Sequence, residues 1–296
     1  MSADPRRGTR FPLRLSELGS PAKVARTPAV PAAAAPKLQV TTAAAVTAGG
    51  RAVLRPQRLV EHAHADAARR VAPSGLGLDS ADVRKRMAQR LRAVGVTSEA
   101  VLAAMATVPR HLFVDAALVT QAYEDTSLPI GHGQTISKPS VVGRMIELLL
   151  GGMTARQSGG LGRVLEIGTG CGYQAAVLST LATQVVSVER LRPLHDKACA
   201  LLAPLRPANL RLVYGDGMRG HPPNAPYDSI IAAAGGDELP GAWLDQLAVG
   251  GRLVSPLRRP GSDRQVLMVV DRTEQGYEHK AFEAVHFVPL KSGLVA

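Results

Sequence analysis

Val164-Leu165-Glu166-Ile167-Gly168-Thr169-Gly170-Cys171-Gly172 runs from an apolar strand into a glycine-rich turn, and a helical pattern begins at Tyr173. Glycine lacks the Cβ that would hold a ligand away from the main chain, and the first turn of the following helix offers N–H groups without intrahelical partners. The segment therefore reads as a nucleoside-binding turn. Its spacing narrows the ligand. Dinucleotide folds use G-x-G-x-x-G, with a pyrophosphate on the helix N-terminus. Here the third glycine comes one residue early and Glu166 stands at the strand end.

Three further apolar runs extend the pattern. Gln184–Val188 leads into Glu189, Leu210–Tyr214 into Gly215-Asp216-Gly217, and Tyr227–Ile231 follows. Glu189 lies 23 residues beyond Glu166, close to the offset at which an acid holds ribose hydroxyls in Rossmann-type sites. Asp216, at a strand end between glycines, suits an adenine amino group. Any one of these acids reads as a solvated loop charge, but three at successive strand ends read as a site. Strands alternating with helical stretches predict an α/β fold, a mostly parallel sheet with helices on both faces. Gly251–Ser255 and Gln265–Val270 flank a turn at Arg259–Ser262, predicting a C-terminal antiparallel hairpin. The E-x-G-x-G-x-G form resembles motif I of the class I S-adenosylmethionine methyltransferases, which implies that fold.

Charge locates a different region. The 296-residue chain carries a formal +11, and residues 1–75 supply +8 of it through 12 Lys and Arg against 4 Asp and Glu. The rest gives no electrostatic footprint for nucleic acid. Residues 1–76 are rich in Ala, Pro and Arg and lack periodic large apolar groups, so they are expected to be disordered. An organellar transit peptide or a misassigned upstream start are the other readings of that stretch. No run has the length of a membrane-spanning helix or a secretory h-region, and Cys171 and Cys199 have neither disulfide-framework nor zinc spacing. A reducing cytoplasm, no metal and a monomer are expected.

The folded domain is expected over residues 77–296, beginning with a helical element at 77–120. Ser80 is placed as the cap of a helix over 81–94, with Met87, Leu91 and Val94 on its apolar face and Gly95 as the stop. Ser98 caps the next helix, which Pro109 ends. The basic residues of the first helix (Arg84, Lys85, Arg86, Arg90, Arg92) read as a solvated face.

Between these helices and the first strand lies Ala122-Tyr-Glu-Asp-Thr-Ser-Leu-Pro-Ile-Gly-His-Gly-Gln-Thr-Ile-Ser-Lys-Pro139. It closely resembles the signature of the protein-L-isoaspartate (D-aspartate) O-methyltransferases. Val108–Val114, Leu165–Gln174, Tyr214–Gly217, Gln246–Val254 and Phe287–Leu290 extend the resemblance over roughly residues 80–296. It implies Ser137 as the active-site residue, with Gln134, Thr135 and Ile136 lining S-adenosylmethionine. Glu166, Gly168, Gly170 and Gly172 would meet its methionine end, Glu189 its ribose, and Asp216 with Gly217 its adenine. The implied reaction is methylation of the free α-carboxylate of isoaspartyl and D-aspartyl residues in damaged proteins, whose ester then closes to a succinimide. Lys138, Ser140 and Gly143 depart from the family's frequent residues at the substrate-facing edge.

That reaction matches what the chain lacks. A carboxylate is already anionic at neutral pH, so no general base is required, and Ser137 reads as an orienting group rather than a nucleophile. His132 reads as a shaper of its Gly-flanked loop, and Cys171 as small-residue packing. The alternatives are methyl transfer to another acceptor, a non-catalytic S-adenosylmethionine-binding protein, and an NAD-dependent reductase that the glycine spacing disfavours.

Overall fold

The computed structural model describes residues 80–259 and 261–296. The predicted basic extension, residues 1–76, lies outside them.

Both predicted caps open their helices. The Ser80 side chain accepts from the Val83 N–H ahead of α1 (Ala81–Ala93), and Ser98 accepts from Val101 ahead of α2 (Glu99–Thr107). Each satisfies a donor that the first turn leaves without a partner. Met87 and Leu91 are buried as expected, but Val94 is 64% exposed. The helix stops at Ala93, so Val94 becomes its C-cap and leaves the apolar face. The basic face of α1 is partly structural. Arg84 donates to the Ala106 carbonyl and Arg90 to that of Tyr123, while Arg92 pairs with Glu99 at the surface.

Two 3₁₀ turns, Arg110–Phe113 and Ala116–Gln121, lead to a two-stranded antiparallel hairpin of β1 (Leu128–Gly131) and β2 (Gln134–Ile136). After it come α3 (Pro139–Leu150) and α4 (Met153–Ser158), and then the main sheet. Its strands are β3 (Arg163–Ile167), β4 (Gln184–Glu189), β5 (Leu210–Tyr214), β6 (Tyr227–Ala232), β7 (Leu247–Arg258), β8 (Gln265–Thr273) and β9 (Gly276–Val285), in the order β5-β4-β3-β6-β7-β8-β9. The first five are mutually parallel, and β7, β8 and β9 form an antiparallel meander. The predicted hairpin is thus β7–β8, lengthened at both ends and extended by one strand.

Alternate residues of the central strands face two cores. Val164, Val185, Ile231 and Val254 pack with α1, α2, α3, α5 (Tyr173–Ser179) and α6 (Arg192–Leu202). Leu165, Ile167, Val186 and Ile230 pack with Trp243 and Leu244 of α7 (Gly241–Gln246). Helices therefore lie on both faces, thinly on the second. The strand order reverses at β3, which pairs with β4 on one side and β6 on the other. Ligands of open α/β sheets bind outside the carboxyl ends of the strands at such a point.

Candidate active site

A cavity of about 210 Å³ opens at that switch point. Its floor is the turn after β3, where Gly168, Gly170 and Gly172 have φ of 89°, 56° and 91°. L-residues with a Cβ rarely adopt that region. Gly168 and Gly170 line the cavity. Gly172 does not, and its missing side chain serves packing, since a Cβ there would sit 2.8 Å from Cδ1 of Leu202.

Glu166 lies beneath the floor rather than in the wall, fully buried on the central strand. Strand register sets it beside Ser187 of β4, whose hydroxyl donates to Oε2 at 2.5 Å. Among the described residues, neither Oε1 nor the buried Nε2 of Gln174, which lines the cavity, makes a well-formed hydrogen bond, although the two side chains lie close enough for Gln174 to favour the charged carboxylate. Burial pushes the Glu166 carboxyl up to about 8, opposed by its hydrogen bonds and helped by the charge of Glu189. An unpaired buried acceptor is costly, and one next to a cavity fits a ligand that carries positive charge.

Glu189 ends β4 and lines the cavity. Its two oxygens accept from the main-chain N–H groups of Gly170 and Leu191, both at 2.9 Å. A carboxylate has about four acceptor sites, so two remain for hydroxyl groups. Glu189 thus stands in the cavity wall, and Asp216 does not. Its carboxylate accepts from Met218 N and Gly293 N at 3.0 and 2.8 Å, and it shapes the turn instead of lining the cavity. Gly217 beside it does line the cavity. Trp243 of α7 holds the Gly217 carbonyl through Nε1 at 2.7 Å. Trp243→Phe would leave that carbonyl without its donor and is expected to cost about 1–2 kcal/mol, read by urea unfolding followed by circular dichroism. Unchanged stability would mean that the bond contributes nothing.

The opposite wall is the β1–β2 hairpin. Its turn, Gly131-His132-Gly133, has three consecutive positive φ values (99°, 53°, 67°), which brings His132, Gln134, Thr135, Ile136 and Ser137 to the cavity. His132 shapes this turn, and its carbonyl accepts from the Gln134 side chain at 3.4 Å. Ser137 is half-buried. Its carbonyl accepts from Arg110 at 2.8 Å, and no protein group among the described residues is hydrogen-bonded to its hydroxyl. Cys171 is buried, its thiol pushed up to about 11 by desolvation, which suits packing rather than nucleophilic chemistry.

Sequence reasoning missed other parts of the wall. Val288, Pro289, Leu290 and Lys291 close one side, held by main-chain bonds from Gly235 to Val288 and from Leu290 to Gly235. Tyr173, Gln174, Leu191 and Leu194 complete another. The family signature contained Phe287–Leu290 and Tyr173-Gln174 without marking them as site residues. The edge departures have structural roles. Ser140 donates through both its N–H and its hydroxyl to Asp125, and Gly143 packs against Val96 and Val101.

A sequence profile of the protein-L-isoaspartate(D-aspartate) O-methyltransferases matches residues 82–294. The protein-L-isoaspartate O-methyltransferase of Methylibium petroleiphilum is 56% identical over 294 residues, 99% of each chain. That of Leptothrix cholodnii is 56% identical over 301 residues, covering 99% of this chain and 96% of its own. A solved protein-L-isoaspartate O-methyltransferase superposes with a TM-score of 0.63 at 30% identity, covering 71% of this chain and 67% of the other. A second structure shares the fold at a TM-score of 0.59 and 23% identity, covering 70% of this chain and 98% of its own. It is a Plasmodium falciparum protein assigned the same activity and solved with S-adenosyl-L-homocysteine. A glycine turn at the switch point, an acid at each of the next two strand ends and a serine across the cavity thus sit in a chain that belongs to the protein-L-isoaspartate(D-aspartate) O-methyltransferase family.

Proposed function

We propose that the cavity holds S-adenosylmethionine between the glycine floor and the β1–β2 hairpin, with Ser137 orienting the α-carboxylate of an isoaspartyl or D-aspartyl residue. The methyl-transfer activity on isoaspartyl proteins follows from family membership. The roles of individual residues are our reading. One observation carries it: Ser137, half-buried and with its hydroxyl unpartnered among the described residues, lines the same cavity as a glycine floor over a buried carboxylate oxygen that no described group bonds well.

The residues present fit the cofactor. Gly168 and Gly170 allow close approach, the unpaired Glu166 oxygen sits beneath them, and Glu189 has acceptor capacity left for ribose hydroxyls. Gln134, Thr135 and Ile136 form the facing wall, and Gly217 with Leu191 and Leu194 the far end. Gly172 and Asp216 support this arrangement from behind by packing and by capping. The S-adenosyl-L-homocysteine held by the Plasmodium protein supports the same ligand class here. When bound, the cofactor supplies a methyl group on a sulfonium centre that a carboxylate can displace.

The chain's own work is to place that carboxylate. A hydroxyl can donate to a carboxylate without protonating it, and fixing two reactants in line accounts for about 7–11 kcal/mol of a barrier. Two nearby side chains, Cys171 and Tyr173, are poor competing nucleophiles at neutral pH. Desolvation raises the Cys171 thiol to about 11 and the Tyr173 phenol to about 12.

Transfer of a labelled methyl group to paired peptides tests the reading. The two would differ only in carrying isoaspartate or aspartate at one position. Base-labile label on the isoaspartyl peptide alone is expected. Equal silence on both, with cofactor bound, would overturn it. We place the enzyme in the cytoplasm as a monomer acting on damaged proteins, with no nucleic-acid partner for the folded domain. Among the described residues, no helix is long and apolar enough to cross a membrane.

A further inference from the structure

Arg110 is fully buried, and no carboxylate among the described residues forms an ion pair with it. Asp125, whose charge acts on it, is engaged with Ser140. Burying a charge without a counter-ion is costly unless hydrogen bonds replace its hydration, and here those bonds go to main-chain carbonyls. Nε donates to Ala122 at 2.8 Å, and Nη2 donates to Ser137 at 2.8 Å and to Thr126 at 3.5 Å. The guanidinium carbon lies 4.7 Å from the centre of the Tyr173 ring, and Nη1 is buried without a hydrogen-bond partner among the described residues.

These partners belong to opposite walls. Ser137 follows β2 on the acceptor side, whereas Tyr173 is the first residue of the helix after the glycine floor. One planar cation therefore touches both walls from behind. A lysine cannot replace it, because its single nitrogen lacks the rigid fork that reaches several carbonyls at once and the flat face that stacks on an aromatic ring.

We propose that Arg110 is a positioning residue for methyl transfer, setting the Ser137 main chain against the glycine-floor helix and thereby the separation between acceptor and methyl donor. The inference rests on the reading of Ser137 given above. It predicts that loosening this link harms turnover far more than binding of either ligand.

The test uses the full-length chain as wild type, Arg110→Lys, Arg110→Ala and Ser137→Ala. Each is measured for S-adenosylhomocysteine affinity by calorimetry, for melting temperature, and for kcat and KM on an isoaspartyl peptide. In Arg110→Lys, cofactor affinity and peptide KM are expected to stay within about threefold while kcat falls about 30- to 100-fold, the scale of an ångström-level misplacement. Millimolar guanidinium is expected to restore turnover several-fold in Arg110→Ala and not in Ser137→Ala. Wild-type kcat in Arg110→Lys would overturn the inference. So would a joint loss of melting temperature, cofactor affinity and kcat in Arg110→Lys without guanidinium rescue, because that is the behaviour of a packing residue. A wild type silent on the isoaspartyl peptide would overturn the functional reading first, and the inference with it.

Discussion

Ser137→Ala is expected to lower kcat on a saturating isoaspartyl peptide by about 100-fold, the scale seen when one well-placed hydrogen-bond donor is removed from a reacting oxygen. The dissociation constant for S-adenosylhomocysteine should stay within about twofold. The split follows from position. Ser137 lines the cavity, no protein group among the described residues holds its hydroxyl, and its carbonyl is fixed by Arg110. Alanine keeps that carbonyl and the hairpin register and removes only the donor. Parallel loss of cofactor binding would instead assign the serine to the cofactor, and unchanged kcat would remove it from the reaction.

The second large effect concerns Glu166. Burial holds its carboxyl near 8 against the usual 4.5, so the folded protein retains a proton there that the unfolded chain releases. Stability from this group is therefore greatest below about pH 4.5 and falls as pH rises toward 8. A cationic ligand over Oε1 reverses the preference and favours the carboxylate. Between pH 6 and 8, S-adenosylhomocysteine is expected to bind up to about tenfold more tightly per pH unit, releasing close to one proton at pH 7. Glu166→Gln should abolish that dependence, weaken binding about 100-fold at pH 8, and raise the stability of the free protein at pH 8 and above. Calorimetry in two buffers of different ionisation enthalpy reads the proton count directly. A flat affinity across this range in the wild-type protein would show that Glu166 does not change its charge on binding.

How far these features could be read from residues alone depended on what partners them. Strands β3, β4 and β6 were legible within about a residue of their ends, because strands buried on both faces read as apolar runs, and the edge strand β5 was legible from its Leu-Arg-Leu-Val-Tyr run. β9 was not. It is the other edge strand, and its Glu278, Lys280 and Glu283 break any alternation that would mark a strand. In the site, Glu189 was legible because a fixed offset from a glycine turn is a geometric signature. Asp216 met the same pattern, yet it stands outside the cavity lining, with one carboxylate oxygen turned to the N–H of Gly293, 77 residues further on. No local pattern reports a contact of that range. Arg110 was hidden for a related reason, since carbonyl partners carry no side-chain identity and a basic residue in a turn reads as solvated.

The two walls of the cavity are also secured in different ways. Val288–Lys291 is tied by main-chain bonds to the loop after β6, an extension of the seven-stranded ladder. The β1–β2 hairpin stands outside that ladder, and an isolated pair of strands is marginally stable in water. The hairpin is held by the burial of Leu128, Ile130 and Ile136 in the core and by side-chain bonds, including Lys197 on the Ile130 carbonyl and Arg110 behind Ser137. The acceptor-side wall therefore depends on side-chain packing that substitution can alter, and the other wall on main-chain bonds that it cannot.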